Sequence, residues 1–321
     1  MLEHSLTTSS QLQAIAGLEH SPEYGNLGNY LKVFLLSCRV EGKSPLTLQH
    51  YRQRVSAYII FAKGAKLPKN VRDITAQDIR LFLGSLQLRE LEPSTIYAHY
   101  RALKTFFNWL VNEGFADSNP LDRIKPPKVP TKLPKPFSPH DIDSFIMLTS
   151  GNKFLQLRNR AIILVDMDTG LRLSEIVAIN VSDIDLNRET IRVMGKGGKE
   201  RYVRIGRKTQ KAILRYLAMR DDDYGCLWVT EERRPLKLRG LQIMVKRLCH
   251  LAGINDAKPG PHTFRHTAAI SCLRNGMGEF QLQMMLGHST LQMTRRYVSS
   301  LNADDVIKAH RKASPVDNMK L

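Results

Sequence analysis

The chain has 321 residues, with 48 Lys and Arg against 30 Asp and Glu and a formal charge of +18. Hydrophobic residues make up 42% of it, enough for a sizeable core, which excludes wholesale disorder. The basic excess runs along the whole chain and is not confined to a tail, so it points to a long polyanion, most often nucleic acid.

In chain order, residues 1–24 read as an N-terminal extension, loosely docked or poorly ordered. Their start lacks a long apolar core and a basic leader, so no secretory signal is expected. Residues 25–124 read as helices. SPLTLQHYRQRVSAYIIFAKG opens on a Ser-Pro start signal, ITAQDIRLFLGSL has Thr75 as its cap, and EPSTIYAHYRALKTFFNWLVNEG stops at Gly114. Residues 125–139, KPPKVPTKLPKPFSP, hold six of the 15 prolines and four lysines, which predicts a semi-rigid linker between two domains. From 140 to 321 the pattern is mixed. DIDSFIMLTS and LRNRAIILVDMDTG read as helices, the second ending at Gly170, and LRLSEIVAIN starts another. ETIRVMGKGGKERYVRIG alternates on both sides of a Gly-rich turn and predicts a β-hairpin. Helices are expected from about 208 to the end. The run AIILV at 161–165 is too short to span a membrane. Cys38, Cys226, Cys249 and Cys272 are scattered and form no C-x-x-C pair, which suits a reducing compartment and a soluble, cytoplasmic protein.

Several groups carry chemistry. In GPHTFRHTAA, Pro261 suits a helix first turn, and His262 and Arg265 share one face three residues apart. An arginine fork matches phosphate oxygens and a histidine exchanges protons near neutral pH, although a surface arginine beside a satisfied histidine fits equally well. In TGLRLSEIVAIN, Arg172 follows a helix-ending glycine, and Glu175, one turn on, can hold it. In GKGGKE, Lys196 stands at a hairpin tip, where it can reach a phosphate or simply face solvent. No Ser or Thr follows it and no helix opens there, so it is not a phosphate-binding P-loop. In LGHSTLQMTRRYVSS, His288 precedes Tyr297, and Arg295 and Arg296 abut the tyrosine. A phenol, with a pKa of about 10, is a poor nucleophile until positive charge stabilises its anion. Arg295, Arg296, His288 and an arginine-bound phosphate are candidate sources of that field. Arg101 and Lys104, one turn apart near Tyr97 and Tyr100, form a basic and aromatic helix face that either meets DNA phosphates or is merely solvated.

The order arginine, lysine, His-x-x-Arg, histidine, tyrosine resembles the tyrosine recombinase, or integrase, family, and is most similar to its Xer-like members. TGLRLSEI, GKGGKERYV, HTFRHTAA and LGHSTLQMTRRYV carry the resemblance, which covers nearly the whole chain. Phe264, where leucine is commoner, and Met293, before Thr294, depart from the pattern at packing positions. The resemblance implies a mainly α fold with a small β-hairpin or sheet, its helical core-binding and catalytic domains forming a C-shaped clamp on DNA. It implies that Arg172 and Arg265 clamp the scissile phosphate and that Tyr297 attacks it to give a 3′-phosphotyrosine. Lys196 would protonate the leaving 5′-oxygen, and His262 would accept the tyrosine proton or hold the phosphate. His288 would add a hydrogen bond, and Glu175 would support the site. Lys199, Arg201, Arg101 and Lys104 are further candidate DNA contacts. No cofactor or metal is expected, and no carboxylate cluster suited to Mg²⁺ is apparent. The partners implied are duplex DNA with specific sites at the nucleoid, a homotetramer through exchange of the C-terminal tail, and a partner recombinase or DNA-bending accessory protein. The competing readings are a type IB topoisomerase-like enzyme, a catalytically idle DNA-binding regulator, and a metal-dependent nuclease using His262, His266 and His288.

Overall fold

The computed structural model describes residues 27–130, 135–195, 198–254, 261–314 and 316, and it divides the chain into two units, Met1–Thr131 and Lys132–Leu321. The division falls inside the proline-rich segment. Residues 1–24 lie outside the described residues.

The described part of the first unit is four helices: α1 (Leu27–Val40), α2 (Pro45–Gly64), α3 (Ala76–Leu88) and α4 (Pro93–Asn112). Their starts follow local chemistry. The Ser44 hydroxyl accepts from the Thr47 amide at 3.3 Å ahead of Pro45. Thr75 and Asp78 close a reciprocal cap, in which the Thr75 amide donates to Asp78 at 2.8 Å. α1 adds a fourth helix to the three segments expected. Its buried residues Leu27, Tyr30, Leu31, Phe34, Leu35 and Cys38 recur at helical spacing and pack into an aromatic core. Phe34 and Phe106 meet edge to face at 5.4 Å, and Tyr58 and Phe82 do the same.

The second unit begins with α5 (Pro139–Leu148), capped by Ser138 and Asp141, then α6 (Phe154–Thr169) and the short α7 (Leu173–Val177). A three-stranded antiparallel sheet follows, β1 (Ile184–Asp185), β2 (Thr190–Met194) and β3 (Glu200–Arg204), with Ile191 opposite Val203. The hairpin expectation holds, and β1 extends it by a strand too short to show alternation. The chain continues through α8 (Arg207–Leu217), α9 (Leu238–Leu251), α10 (Pro261–Arg274), α11 (Glu279–Leu286), α12 (Leu291–Val298) and α13 (Ala303–Ala313).

The expectation of unbroken helices from about 208 is corrected. Between α8 and α9 the chain is extended, with isolated bridges Asn180–Cys226 and Val229–Pro235. Three consecutive aspartates, Gly225, Pro235 and a left-handed Arg233 (φ 56°) do not sustain a helix there. This segment seats Trp228 in the core, where its indole N–H donates to the Ile176 carbonyl at 2.8 Å.

The main core of this unit joins Phe137, Phe145 and Phe264, whose ring centroids lie 4.7 to 5.2 Å apart. Phe264 thus fills with aromatic contacts the position where leucine was expected. The four cysteines are free thiols. No helix among the described residues is long and apolar enough to cross a membrane. Phe264→Ala is expected to destabilise the second unit by about 3–5 kcal/mol, read from urea denaturation, because Phe137 and Phe145 cannot close the void.

Candidate active site

The site is assembled from two left-handed glycines and the residues after them. Gly170 (φ 55°) ends α6 and turns the chain so that Arg172 caps α7. Gly287 (φ 63°) ends α11 and turns it towards His288 and α12. Neither position admits a side chain. A Cβ on Gly170 would lie 2.9 Å from Leu286, and one on Gly287 would lie 3.1 Å from the Arg201 guanidinium.

Three guanidiniums gather on the end of α11. Arg201 Nε donates to the Met285 carbonyl at 3.1 Å, Arg265 NH2 to Leu286 at 2.8 Å, and Arg172 NH2 to Gly287 at 3.2 Å. These carbonyls have no intrahelical donors and sit at the negative end of the helix dipole, so they attract cations. Arg265 also donates to the Gly170 carbonyl at 2.7 Å. Glu175, buried, takes four N–H donors. The Arg172 amide (2.8 Å) and Arg201 NH2 (2.8 Å) reach one oxygen, and Arg172 NH1 (2.9 Å) and Arg201 NH1 (3.1 Å) reach the other. Those bonds outweigh burial and hold its carboxyl below the usual range.

Tyr297, 6% exposed, belongs to a small cluster with Ala269, Ile270, Leu282 and Leu286. Its ring lies parallel to His288 at 5.9 Å and tilted against His266 at 5.2 Å. Burial, followed by the charge of Arg172, pushes the Arg265 pKa down, and the nearby Tyr297 oxygen opposes that shift. The Arg265 guanidinium therefore lies close to the phenol. The expected sources, Arg295 and Arg296, are turned outward, with Arg295 paired to Glu279 at 3.4 Å.

The histidines also differ from expectation. Burial first, then Arg265, Arg172 and Arg201, lowers His288 to about 4. Burial, then His262, Arg296 and Arg265, lowers His266 to about 4. Both are therefore neutral rings at neutral pH. His288 Nδ1 pairs with the buried Thr294 hydroxyl at 2.9 Å. His266, whose spacing suggested at most a metal ligand, is the other ring against Tyr297. No group of three or more His, Cys, Asp or Glu able to hold a metal occurs among the described residues.

The remaining candidates are dispersed. His262 is exposed in the first turn of α10. Lys196 lies outside the described residues, and Lys199 beside it is exposed. Arg201 is corrected from a DNA-facing side chain to one turned inward on Glu175. In the first unit, Arg101 is exposed, whereas Lys104 is half-buried and paired with Asp122 at 3.4 Å. Tyr100 is turned inward and donates to the Ile124 carbonyl at 3.0 Å. Burial, then Arg54 and Arg101, lowers the His50 pKa, so a basic group from α2 and α4 lies there that sequence spacing did not single out.

Residues 137–303 match the phage integrase family and residues 30–117 match its N-terminal SAM-like domain, so the chain belongs to the phage integrase family of tyrosine recombinases, enzymes that transfer DNA strands. Among its relatives, the tyrosine recombinase XerD of Halalkalibacterium halodurans is 31% identical over 84% of this chain and 93% of its own length. The tyrosine recombinase XerC of Salmonella typhi is 32% identical over 79% of this chain and 85% of its own. The fold is shared with the XerH site-specific recombinase in a post-cleavage complex with its palindromic difH substrate, at a TM-score of 0.71 and 19% identity, over 96% of this chain and 88% of that one.

The depressed histidines set a pH dependence. Their folded values of about 4 lie below the unfolded value of about 6.5, so the unfolded chain binds protons that the folded chain refuses. Stability is complete above about pH 6.5 and is lost as pH falls towards about 4. Urea midpoints taken from pH 7.5 to pH 4.5 should fall, and His266→Asn should flatten that decline. An unchanged slope in the variant would contradict the assignment.

Proposed function

We propose that this recombinase is site-specific and cuts and rejoins duplex DNA through a covalent 3′-phosphotyrosine, using neither ATP nor a metal ion. The observation that carries this reading is the buried Tyr297, whose ring packs against the His266 and His288 imidazoles close to Arg265.

Arg172 and Arg265 each spend only part of their donors on backbone carbonyls and Glu175, so the rest can take the non-bridging oxygens of a phosphodiester. Tyr297 attacks phosphorus as its proton passes to His262. The bond to the 5′-oxygen breaks, and Lys196 supplies the proton for the departing 5′-hydroxyl. His288, its Nδ1 paired with the Thr294 hydroxyl, has Nε2 left to hydrogen-bond the phosphate. Glu175 holds Arg172. A 5′-hydroxyl from a second duplex then attacks the phosphotyrosine and releases Tyr297. Phosphoryl transfer needs positioning and charge stabilisation above all, and this cluster supplies both.

In this reading residues 25–124 are the core-binding domain, 125–139 the linker and 140–321 the catalytic domain, with 1–24 an extension. Arg101 of the core-binding domain and Lys199 of the catalytic domain each meet the DNA backbone. The protein works in the cytoplasm on chromosomal DNA as a homotetramer, each tail docking on its neighbour. α13 supports the last point. It is tied to α10 through Arg274 and Asp305 at 3.1 Å but leaves Val306 62% and Ile307 55% exposed.

The chemistry is tested with the full chain and EDTA on labelled nicked duplexes from beside its own gene. Wild type should form an adduct that survives a denaturing gel, and Tyr297→Phe should form none while binding DNA equally. Cleavage without an adduct, dependent on Mg²⁺, would refute the reading, and relaxed circles without recombinant junctions would move it to a topoisomerase. The assembly is tested by ending the chain after Leu301. The shortened protein should still bind a single site but fail to pair two sites or yield recombinant product, as read by light scattering and junction assays. Recombination at the wild-type rate would remove α13 from the assembly.

A further inference from the structure

Arg201 is a half-buried cation, bonded through all three guanidinium nitrogens, that the steps above leave without a task. Its side chain is 15% exposed, although it stands between exposed Glu200 and Tyr202 on β3. All three guanidinium nitrogens donate to protein acceptors, two to the Glu175 carboxylate at 3.1 and 2.8 Å and one to the Met285 carbonyl at 3.1 Å. Both arms of its fork and its Nε are thus turned to protein acceptors. The guanidinium also lies flat against Gly287, where an added Cβ would come within 3.1 Å of its Cζ.

The consequence falls on Arg172. Its backbone amide and its NH1 share the same Glu175 carboxylate, at 2.8 and 2.9 Å. With Arg172 as its sole partner, one buried carboxylate would neutralise one guanidinium and draw it inward. Arg201 adds a second positive charge, so the three side chains together keep a net charge of one and Arg172 keeps its attraction for an anion. The fork also fixes the plane of the carboxylate, which in turn fixes the direction of Arg172. An ammonium group can supply the charge but not the planar fork.

We propose that Arg201 is a positioning residue that acts through Glu175 to aim Arg172 at the scissile phosphate and preserve its charge. The inference rests on the recombinase reading of the site.

The test uses full-length wild type, Arg201→Gln, Arg201→Lys, Glu175→Gln and the double variant Arg201→Gln/Glu175→Gln. Two quantities are read: the rate of adduct formation on the nicked duplex at saturating protein, and DNA affinity as a function of salt. Wild type is measured first, and if it forms no adduct the recombinase reading itself fails, before any variant is compared. Arg201→Gln should bind DNA with wild-type affinity and salt slope but form adduct about a hundredfold more slowly. Arg201→Lys should recover little of that loss. The double variant should be no slower than the slower single variant, because groups acting as one unit do not add. A substrate with sulfur in place of the bridging 5′-oxygen has a leaving group that needs no proton. It should restore Lys196→Ala and leave Arg201→Gln slow. Losses that multiply in the double variant would overturn the proposal. So would a salt slope reduced by about one with the saturated rate intact, the mark of a direct phosphate contact. Restoration of Arg201→Gln by the sulfur substrate would overturn it too, by assigning Arg201 to the lysine step. Thermal melts accompany each variant, and if Arg201→Gln is unfolded at the assay temperature, Arg201→Lys carries the same comparisons.

Discussion

The C-terminal end of α11 is the constraint around which the site is built. Three consecutive carbonyls, at Met285, Leu286 and Gly287, each accept from a different arginine. Guanidiniums brought this close repel one another, and burial raises the cost because water no longer screens them. Helix-end carbonyls oppose that repulsion without cancelling the charge. They are partial negative charges in fixed positions, so the arginines stay cationic and stay aimed. The arginines come from α7, β3 and α10, and one helix end thereby sets the spacing of all three elements.

The same field explains the histidines. A ring surrounded by guanidiniums cannot hold a proton at neutral pH, and burial reinforces this. His288 is therefore a directional hydrogen-bonding group here, not a charge, and Thr294 fixes its orientation. Were both rings charged, the cluster would repel itself and Tyr297 would lose the apolar packing that buries it. The neutral imidazoles let a tyrosine sit beside a cation without crowding the site with further charge.

The proposed catalytic groups stand out as a set because their order along the chain is specific and most stand beside a local structural signal. Gly170 marks a helix end before Arg172, Pro261 a helix start before Arg265, and Gly287 a second end before His288. Helices with strong caps, such as those begun by Ser44 and Thr75, were legible for the same reason. Long-range geometry was not. Nothing local says that Arg201, in an alternating strand, turns inward to a carboxylate 26 positions away, or that Arg265 lies close to the phenol. The extended segment around Trp228 was missed because its aspartates and Pro235 weaken a helix without naming what replaces it. α1 was missed despite clear periodicity, so that omission has no physical excuse.

The charge balance of the site points to what completes it. Arg172, Arg201 and Arg265 bring three positive charges, and among the described residues Glu175 is the only carboxylate bonded to them. The excess of two is held by backbone dipoles, which orient cations but do not neutralise them. A phosphodiester carries one negative charge and presents two non-bridging oxygens, which suits the donors that Arg172 and Arg265 leave unspent. A pentacovalent transition state carries more negative charge on those oxygens than the ground state does, so the remaining positive charge stabilises it further. A site neutralised in advance by a second carboxylate would bind the diester less tightly and gain less as the charge builds. The incomplete balance around Glu175 is thus a requirement of the chemistry, and it explains why the fold commits so much rigid backbone to holding three like charges together.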